Sequence, residues 1–183
     1  MDWYNVVKFL HVAMAVIWVG GGFAMMLSGI AGRTFGDGTD VSVARIISVL
    51  GNIVFMPASL LTLLFGIILV VMSWSFTDLW VIIGLAGVAS AVLTGTIVFK
   101  PTADRITALV PVEGLQGPTV ADLGARLIRN AKFDYVVLFV VIADMVLKPG
   151  WGDVVILALM GAAVAVAALL FLTPRPRRQG VPA

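Results

Sequence analysis

Long apolar stretches constrain the fold of this chain more than any other feature of its sequence. A helix needs about 20 mostly apolar residues to cross a bilayer. Four stretches satisfy that length: residues 6–31, 46–74, 79–99 and 153–172. Only 12% of the residues are charged and 61% are hydrophobic, whereas soluble domains carry roughly 25% charge. The sequence therefore predicts a single all-α domain, residues 1–183, embedded in a membrane.

A fifth span is predicted over residues 119–148, although its apolar core at residues 135–143 is too short to cross alone. Upstream of that core, apolar residues recur at helical spacing: Val120, Leu123, Leu127 and Ala131. This periodicity indicates one long helix that lies partly at the interface before it crosses. The pair Pro149-Gly150 is expected to end it.

The connections between the spans are unequal in length. Residues 101–118 contain several prolines and glycines and are predicted to form the longest loop, which is also the most mobile one. Pro57 lies inside the second span and is expected to bend it. The tail, residues 174–183, is expected to be disordered.

Lysines and arginines are distributed unequally between the two sides of the predicted bundle. With the N-terminus outside, ten of them fall on the inner side and only Lys8 and Lys148 on the outer side. Cytoplasmic loops carry this excess of basic residues. The sequence therefore predicts a polytopic bundle of about five helices in the inner membrane of a bacterium, with its C-terminus in the cytoplasm. Its expected partners are the lipid bilayer and a second subunit, of the same or another kind, but no nucleic acid.

The single histidine, His11, lies inside the first span, where a titratable group is costly unless something uses or satisfies it. A ligand or proton-transfer role and a simple packing role are both compatible with this position. Asp144 and Lys148 are predicted at a similar depth on another helix, and Trp18 lies deeper than the other tryptophans. We expect His11 and Asp144 to form a hydrogen-bonded pair, directly or through one water, in which the carboxylate fixes the imidazole tautomer.

Several kinds of site are excluded by the residues present. One histidine and no cysteine rule out a closed zinc site within the chain. The run Gly20–Gly22 does not follow a strand, so it is not a phosphate-binding loop. A soft copper or haem site with methionine ligands is conceivable, although most of the methionines fit a role as core filler.

Small residues recur at helical spacing and predict close helix packing, within the bundle or between subunits. One stripe consists of Gly87, Ala91 and Gly95, and another of Ala158, Gly161, Ala162 and Ala163. This feature favours a structural role for the protein.

Two blocks of sequence resemble the domain of unknown function 2269, a bacterial family of predicted integral membrane proteins. The first is Lys8-Phe9-Leu10-His11-Val12 followed by Trp18-Val19-Gly20-Gly21-Gly22, and the second is Phe133-Asp134 followed by Met145-Val146-Leu147-Lys148-Pro149-Gly150. That family resembles, at a distance, the CopD-like membrane proteins, which include copper-resistance proteins and a haem-containing protoporphyrinogen oxidase.

In the CopD-like group a first-helix histidine followed by Trp and Gly is associated with haem or metal. The resemblance therefore implies that His11 is a ligand, and less directly that Lys148 takes part. The haem-binding relatives have more than one histidine, so a bis-histidine haem in this protein would need a second subunit.

The leading functional hypothesis is an integral membrane protein of unassigned activity, with an outward-facing candidate site for haem or a metal ion. That site consists of His11, Trp18, Asp144 and Lys148. The candidate cofactors are haem b and copper, with His11 as the metal ligand. One alternative is an accessory protein for copper transport or resistance, and another is a structural subunit without chemistry of its own. The sequence identifies no catalytic residue and leaves open whether the protein is an enzyme.

Overall fold

The computed structural model describes residues 2–35, 46, 49–114 and 117–173, and within these ranges the chain forms helices and no β-strand. The prediction of an all-α fold is therefore confirmed. The α-helices are α1 (Trp3–Ala15), α2 (Gly21–Phe35), α3 (Met56–Ser73), α4 (Leu79–Thr94), α5 (Lys100–Glu113), α6 (Pro118–Leu147) and α7 (Val154–Phe171). The predicted tail, residues 174–183, lies outside the described residues.

Three π-helical turns interrupt the α-helical winding. The first, Val16–Gly20, joins α1 to α2; the second, Gly51–Phe55, precedes α3; the third, Gly95–Phe99, joins α4 to α5. Turns of this kind are rare in proteins and occur frequently at functional sites. The first turn connects α1 and α2 without a break in the helix, and the third turn connects α4 and α5 in the same way.

The second and third π-helical turns share a sequence motif. Residues 51–57 read Gly-Asn-Ile-Val-Phe-Met-Pro and residues 95–101 read Gly-Thr-Ile-Val-Phe-Lys-Pro. A proline ring collides with the carbonyl four residues earlier, which belongs to Ile53 for Pro57 and to Ile97 for Pro101. Both carbonyls lie inside the π-helical turn. The wider winding is therefore the local response of each helix to its proline.

Four described helical stretches are long and apolar enough to cross a membrane: Trp3–Gly32, Ile53–Ser73, Leu79–Glu113 and Val154–Phe171. These stretches support the multi-pass topology. Helix α6 has 30 residues and carries several charged side chains, and its crossing of the membrane stays a prediction.

The predicted loop over residues 101–118 is wrong for most of its length. Helix α5 occupies Lys100–Glu113, so the helical stretch that begins at Leu79 continues well past Pro101. Pro101 follows the π-helical turn Gly95–Phe99, and the wider winding of that turn accommodates the proline ring within the continuing helix. Ile106 of α5 is buried against Val120 and Leu127 of α6, which stabilises this segment as a helix.

Helix α6 is the centre of the bundle. It packs against α4, α5 and α7 and touches α2, whereas α1 packs chiefly against α3. Gly87 and Ala91 of the predicted small-residue stripe are buried, and a Cβ atom at Gly87 would overlap Val141 of α6. That stripe therefore serves packing within the chain. In α7 most residues are exposed, including Ala158, Gly161, Ala162 and Ala163 of the second stripe.

Candidate functional site

A cavity of about 560 Å³ lies between the pair α1–α3 and the pair α4–α6. Ligand and cofactor sites have volumes of roughly 300–1,000 Å³, so this outer cavity is large enough for a cofactor. Three of the four predicted site residues, His11, Trp18 and Lys148, line it, and Asp144 is not among its lining residues.

The imidazole of His11 is oriented by a backbone carbonyl. Its Nδ1 atom lies 2.8 Å from the carbonyl oxygen of Thr62 on α3. A carbonyl oxygen can only accept a hydrogen bond, so Nδ1 carries the proton and the lone pair of the neutral ring lies on Nε2. Nε2 has no hydrogen-bond partner in the described part of the chain. The site thus holds one imidazole in a defined tautomer with its second nitrogen free.

Asp144 does not pair with His11, and the predicted direct hydrogen bond between them is wrong. The side chain of Asp144 is fully buried, and neither carboxylate oxygen has a hydrogen-bond partner among the residues that the structure describes. Its Oδ2 atom faces α4, 3.6 Å from the position of a Cβ atom at Gly84. Equal depth in the membrane did not make the two residues neighbours, because α1 packs on α3 and α6 packs on α4.

Lys148 follows the last residue of α6 and lies against two tryptophans, Trp74 and Trp80. Its backbone has a left-handed conformation, with φ 48° and ψ 56°. Its ammonium group is 3.8 Å from the ring centre of Trp74 and 5.2 Å from that of Trp80. The two rings pack edge to face, and Trp74 donates a hydrogen bond of 3.2 Å to Tyr4. A cation held by aromatic faces therefore stands beside the cavity.

A second cavity, called the inner cavity, has a volume of about 180 Å³ and lies toward the other end of the helices, where Gly29, Lys100 and Gly124 line it. Residues of all three π-helical turns line it, among them Trp18, Phe55 and Phe99. Trp18 and Leu138 line both cavities and therefore separate the outer one from this inner one. Asp134 also lines the inner cavity and is only 6% exposed.

Tyr135 of α6 holds the first π-helical turn in place. Its hydroxyl donates a hydrogen bond of 3.2 Å to the carbonyl of Val19. A Cβ atom at Gly22 would overlap the hydroxyl oxygen, so the glycine run after Trp18 provides the space for this contact. Gly22 therefore packs against α6 within the chain.

Sequence reasoning missed four residues of these sites: Thr62, Gly66, Asp134 and Tyr135. Two signals pointed toward the inner cavity. One is the repeated Gly-x-Ile-Val-Phe-x-Pro motif, and the other is Asp134 itself, a charged residue beside the apolar core of the fifth predicted span. Nothing in the sequence pairs Thr62 and Gly66 with His11, because they lie on a different helix.

Metal-ligand clusters are absent from the part of the chain that the structure describes: no three His, Cys, Asp or Glu residues lie close enough to hold an ion together. Methionines are divided between the cavities. Met145 lines the outer one, and Met25, Met26 and Met56 line the inner one.

The long apolar helical stretches define a polytopic α-helical membrane protein. Residues 5–149 match the family described as predicted integral membrane protein DUF2269, and the chain belongs to that family. The match covers nearly all of both blocks that carry the resemblance. No curated protein and no solved structure gives a significant match. The more distant resemblance to CopD-like proteins stays a prediction.

Proposed function

We propose that the outer cavity binds haem, and that Nε2 of His11 would hold its iron. The observation that carries this proposal is the hydrogen bond from Nδ1 of His11 to the carbonyl of Thr62. Histidines that bind metals almost always donate their other ring N–H to a carbonyl, carboxylate or water, which fixes the tautomer and orients the ring. His11 has this arrangement inside a cavity of about 560 Å³.

The charges around the outer cavity suit an anionic ligand. Lys8 and Lys148 line the cavity, and among the described residues no Asp or Glu does so. Haem has two carboxylates, which would find these cations at the outer boundary while its ring meets the apolar wall. Trp18 and Trp80 offer flat aromatic surfaces in that wall.

A second axial ligand could come from the same cavity. Met145 lines it, and thioether sulfur is a known partner of histidine in haem proteins. A bis-histidine arrangement would require His11 of a second copy, because the chain has one histidine. When bound, haem would supply one-electron chemistry at its iron. The protein's own contribution would be to orient the ligand nitrogen through Thr62 and to neutralise the carboxylates with Lys8 and Lys148.

Copper handling has less support as a function for this site. Within the described part of the chain, the outer cavity is lined by one imidazole, that of His11, and one thioether, that of Met145. A copper-selective site needs more soft ligands than these two. A structural subunit remains the second candidate, because the small residues of α7 are exposed in the bundle and permit close approach of another helix.

We place the protein in a bacterial inner membrane with the outer cavity toward the outside. The basic residues support this orientation: Lys8 and Lys148 lie beside the outer cavity, whereas the segments around α5 and the start of α6 carry Lys100, Arg105, Arg126, Arg129 and Lys132. That asymmetry matches the excess of basic residues on cytoplasmic sides.

Haem binding can be tested with purified full-length protein, expressed with haem precursor and copper supplied. The expected result is a Soret band, with haem and protein in equal amounts and little copper. His11→Ala should lose the band, and added imidazole should restore it by occupying the vacated position. Met145→Leu should retain haem and alter its spectrum only if the sulfur is an axial ligand.

Two outcomes would overturn the proposal. One is wild-type protein that carries no haem after expression and after addition of haem in vitro. The other is His11→Ala protein with unchanged haem content. Copper bound in equal amount to the protein, without a Soret band, would favour the copper function, and absence of both would favour the structural subunit.

A further inference from the structure

The inner cavity holds a buried carboxyl group, Asp134, that has no partner among the residues that the structure describes. Asp134 is 6% exposed and forms no hydrogen bond or ion pair among the described residues. The cation that lines the same cavity, Lys100, is already paired with Asp104 at 2.8 Å. An unpaired polar group at this depth is costly and marks a functional position by default.

Aromatic rings form much of the wall around this carboxylate. Trp18, Phe55, Phe99 and Tyr135 all line the inner cavity. The face of an aromatic ring attracts cations through its quadrupole, and ligands with quaternary ammonium groups are recognised by such rings. The hydroxyl of Tyr135 is bound to the carbonyl of Val19, so it does not satisfy Asp134.

The duplicated motif accounts for the space and for two of the rings. Each Gly-x-Ile-Val-Phe-x-Pro copy contributes its glycine and its phenylalanine to the cavity wall: Gly51 with Phe55, and Gly95 with Phe99. A Cβ atom at either glycine would meet nothing within 4 Å. Both glycines therefore border open space, and a larger side chain there can extend into the cavity.

We propose that the inner cavity binds a small organic ammonium ion, with Asp134 as its counter-ion and Trp18, Phe55 and Phe99 as its aromatic contacts. A volume of about 180 Å³ suits a ligand of a few carbon atoms around one nitrogen. The proposal is independent of haem binding, since His11, Lys8 and Lys148 do not line this cavity.

Equilibrium binding of radiolabelled choline to the purified full-length protein tests the proposal. We expect saturable binding that unlabelled choline and tetramethylammonium displace. The neutral isostere 3,3-dimethylbutan-1-ol should displace it at least about tenfold less well, because it lacks the charge that Asp134 and the rings recognise.

The variant Asp134→Asn should weaken choline binding by about tenfold or more, since it keeps the shape and removes the charge. Its matched control is Asp144→Asn, which removes the other buried carboxylate of α6. Asp144 does not line the inner cavity, so this variant should bind choline as the wild type does. Thermal unfolding of both variants in detergent shows whether they remain folded.

Gly51→Val provides a second test that keeps Asp134 intact. It should reduce choline binding by filling part of the cavity. If Asp134→Asn does not fold, Gly51→Val still tests whether choline binds in this cavity. The proposal is overturned if wild-type protein shows no saturable choline binding, or if the isostere competes equally. It is also overturned if Asp134→Asn folds and binds normally, or if silver ions, but no organic cation, bind to the methionines of this cavity.

Discussion

Gly66 of α3 leaves the space that the imidazole of His11 on α1 occupies. A Cβ atom at Gly66 would lie 3.1 Å from Cε1 and 3.3 Å from Nδ1 of that ring. These distances are tighter than ordinary contacts, and the ring is held at the same time by the Thr62 carbonyl at 2.8 Å. The tautomer of the histidine therefore depends on a residue that has no side chain.

The variant Gly66→Ala is predicted to displace the imidazole and weaken its hydrogen bond to Thr62. To make room for the added methyl group, the imidazole of His11 must shift by a few tenths of an ångström. The atoms that would be pushed include Nδ1, which holds the hydrogen bond to Thr62. We expect a loss of about 1 kcal/mol in the free energy of unfolding, as for mild overpacking. Because the chain has a single histidine, NMR of isotope-labelled histidine can follow the Nδ1 proton directly.

The control for this variant is Gly161→Ala on α7, where an added Cβ atom meets nothing within 4 Å. It should leave the histidine signals unchanged and cost no stability. An Nδ1 proton that is equally well bonded in Gly66→Ala would contradict the role assigned to Gly66. If haem binds as proposed, the haem affinity of Gly66→Ala should fall while that of the control should not.

A double-mutant cycle is predicted to reveal coupling between Gly22 and Tyr135. Gly22→Ala alone should destabilise the protein by about 1–3 kcal/mol, because its methyl group overlaps the tyrosine hydroxyl. Tyr135→Phe alone should cost about 0.5–1.5 kcal/mol, since it removes the hydrogen bond to Val19. The double variant has no hydroxyl for the methyl group to overlap. Its loss of stability should therefore be smaller than the sum of the losses in the two single variants.

The cycle is measured by unfolding the four proteins in mixed detergent micelles under identical conditions. Additive effects would show that the two residues do not meet as the structure has them. The same samples test the first π-helical turn, because Tyr135→Phe should increase amide exchange around Val19 more than around the turn at Gly95–Phe99.

Apolar length and basic-residue placement were enough to predict an all-α membrane bundle, because both follow from the bilayer as solvent. Prolines were harder to interpret. Pro101 looked like the end of a helix, yet α5 begins there. A proline is compatible with a continuing helix when the preceding turn adopts π-helical winding, and the buried contact of Ile106 holds the next segment in place.

The candidate site was predicted in part. Three of the four named residues line the outer cavity because the depth of each residue follows from its position in a span. Depth does not determine which helices are neighbours. For this reason the sequence predicts Asp144 as the partner of His11, whereas the structure has the carbonyl of Thr62. A contact with a backbone carbonyl, as at Thr62, does not depend on the residue type and so leaves no signal in the sequence. The same holds for space left by a glycine on another helix, as at Gly66.

Two glycines of α4 are predicted to differ in their tolerance of alanine. A Cβ atom at Gly87 would overlap Cγ2 of Val141, and one at Gly84 would overlap the terminal methyl of Met145. Valine in a helix has one strongly preferred rotamer, whereas methionine has three rotatable bonds. Gly87→Ala should therefore cost about 1–3 kcal/mol of stability, and Gly84→Ala clearly less.

Detergent unfolding of both variants measures this difference, and Val141→Ala added to Gly87→Ala should recover part of the loss. Equal costs at the two glycines would show that the flexibility of the opposing side chain does not determine the outcome. A Gly87→Ala protein as stable as the wild type would contradict the close packing of α4 on α6.

The proposed orientation can be tested with single cysteines, since the chain has none of its own. Thr77→Cys and Gly152→Cys, both at exposed positions, should react with a membrane-impermeant maleimide in intact cells. Val112→Cys, at a position that is 81% exposed, should react only after the cells are opened. Reaction of Val112→Cys from outside would reverse the orientation and place the His11 cavity toward the cytoplasm.

Lys148 combines an unfavourable backbone conformation with a favourable side-chain contact, and three substitutions are predicted to separate them. The left-handed backbone, with φ 48°, costs a residue other than glycine roughly 1–2 kcal/mol. The ammonium group gains about 0.5–1 kcal/mol over the ring of Trp74. Lys148→Arg should retain both features and be as stable as the wild type.

Lys148→Ala keeps the backbone cost and loses the contact, so it should be less stable than the wild type by about 0.5–1 kcal/mol. Lys148→Gly also loses the contact but relieves the backbone, and it should exceed the alanine variant by about 1 kcal/mol. The hydrogen bond from the N–H of residue 148 to the Asp144 carbonyl, 2.8 Å long, is available to all of these variants. Unfolding in mixed micelles gives the order of stability. If Lys148→Ala is as stable as the wild type, the cation–π contact does not contribute to stability. If Lys148→Gly is less stable than Lys148→Ala, the left-handed backbone is not costly at this position.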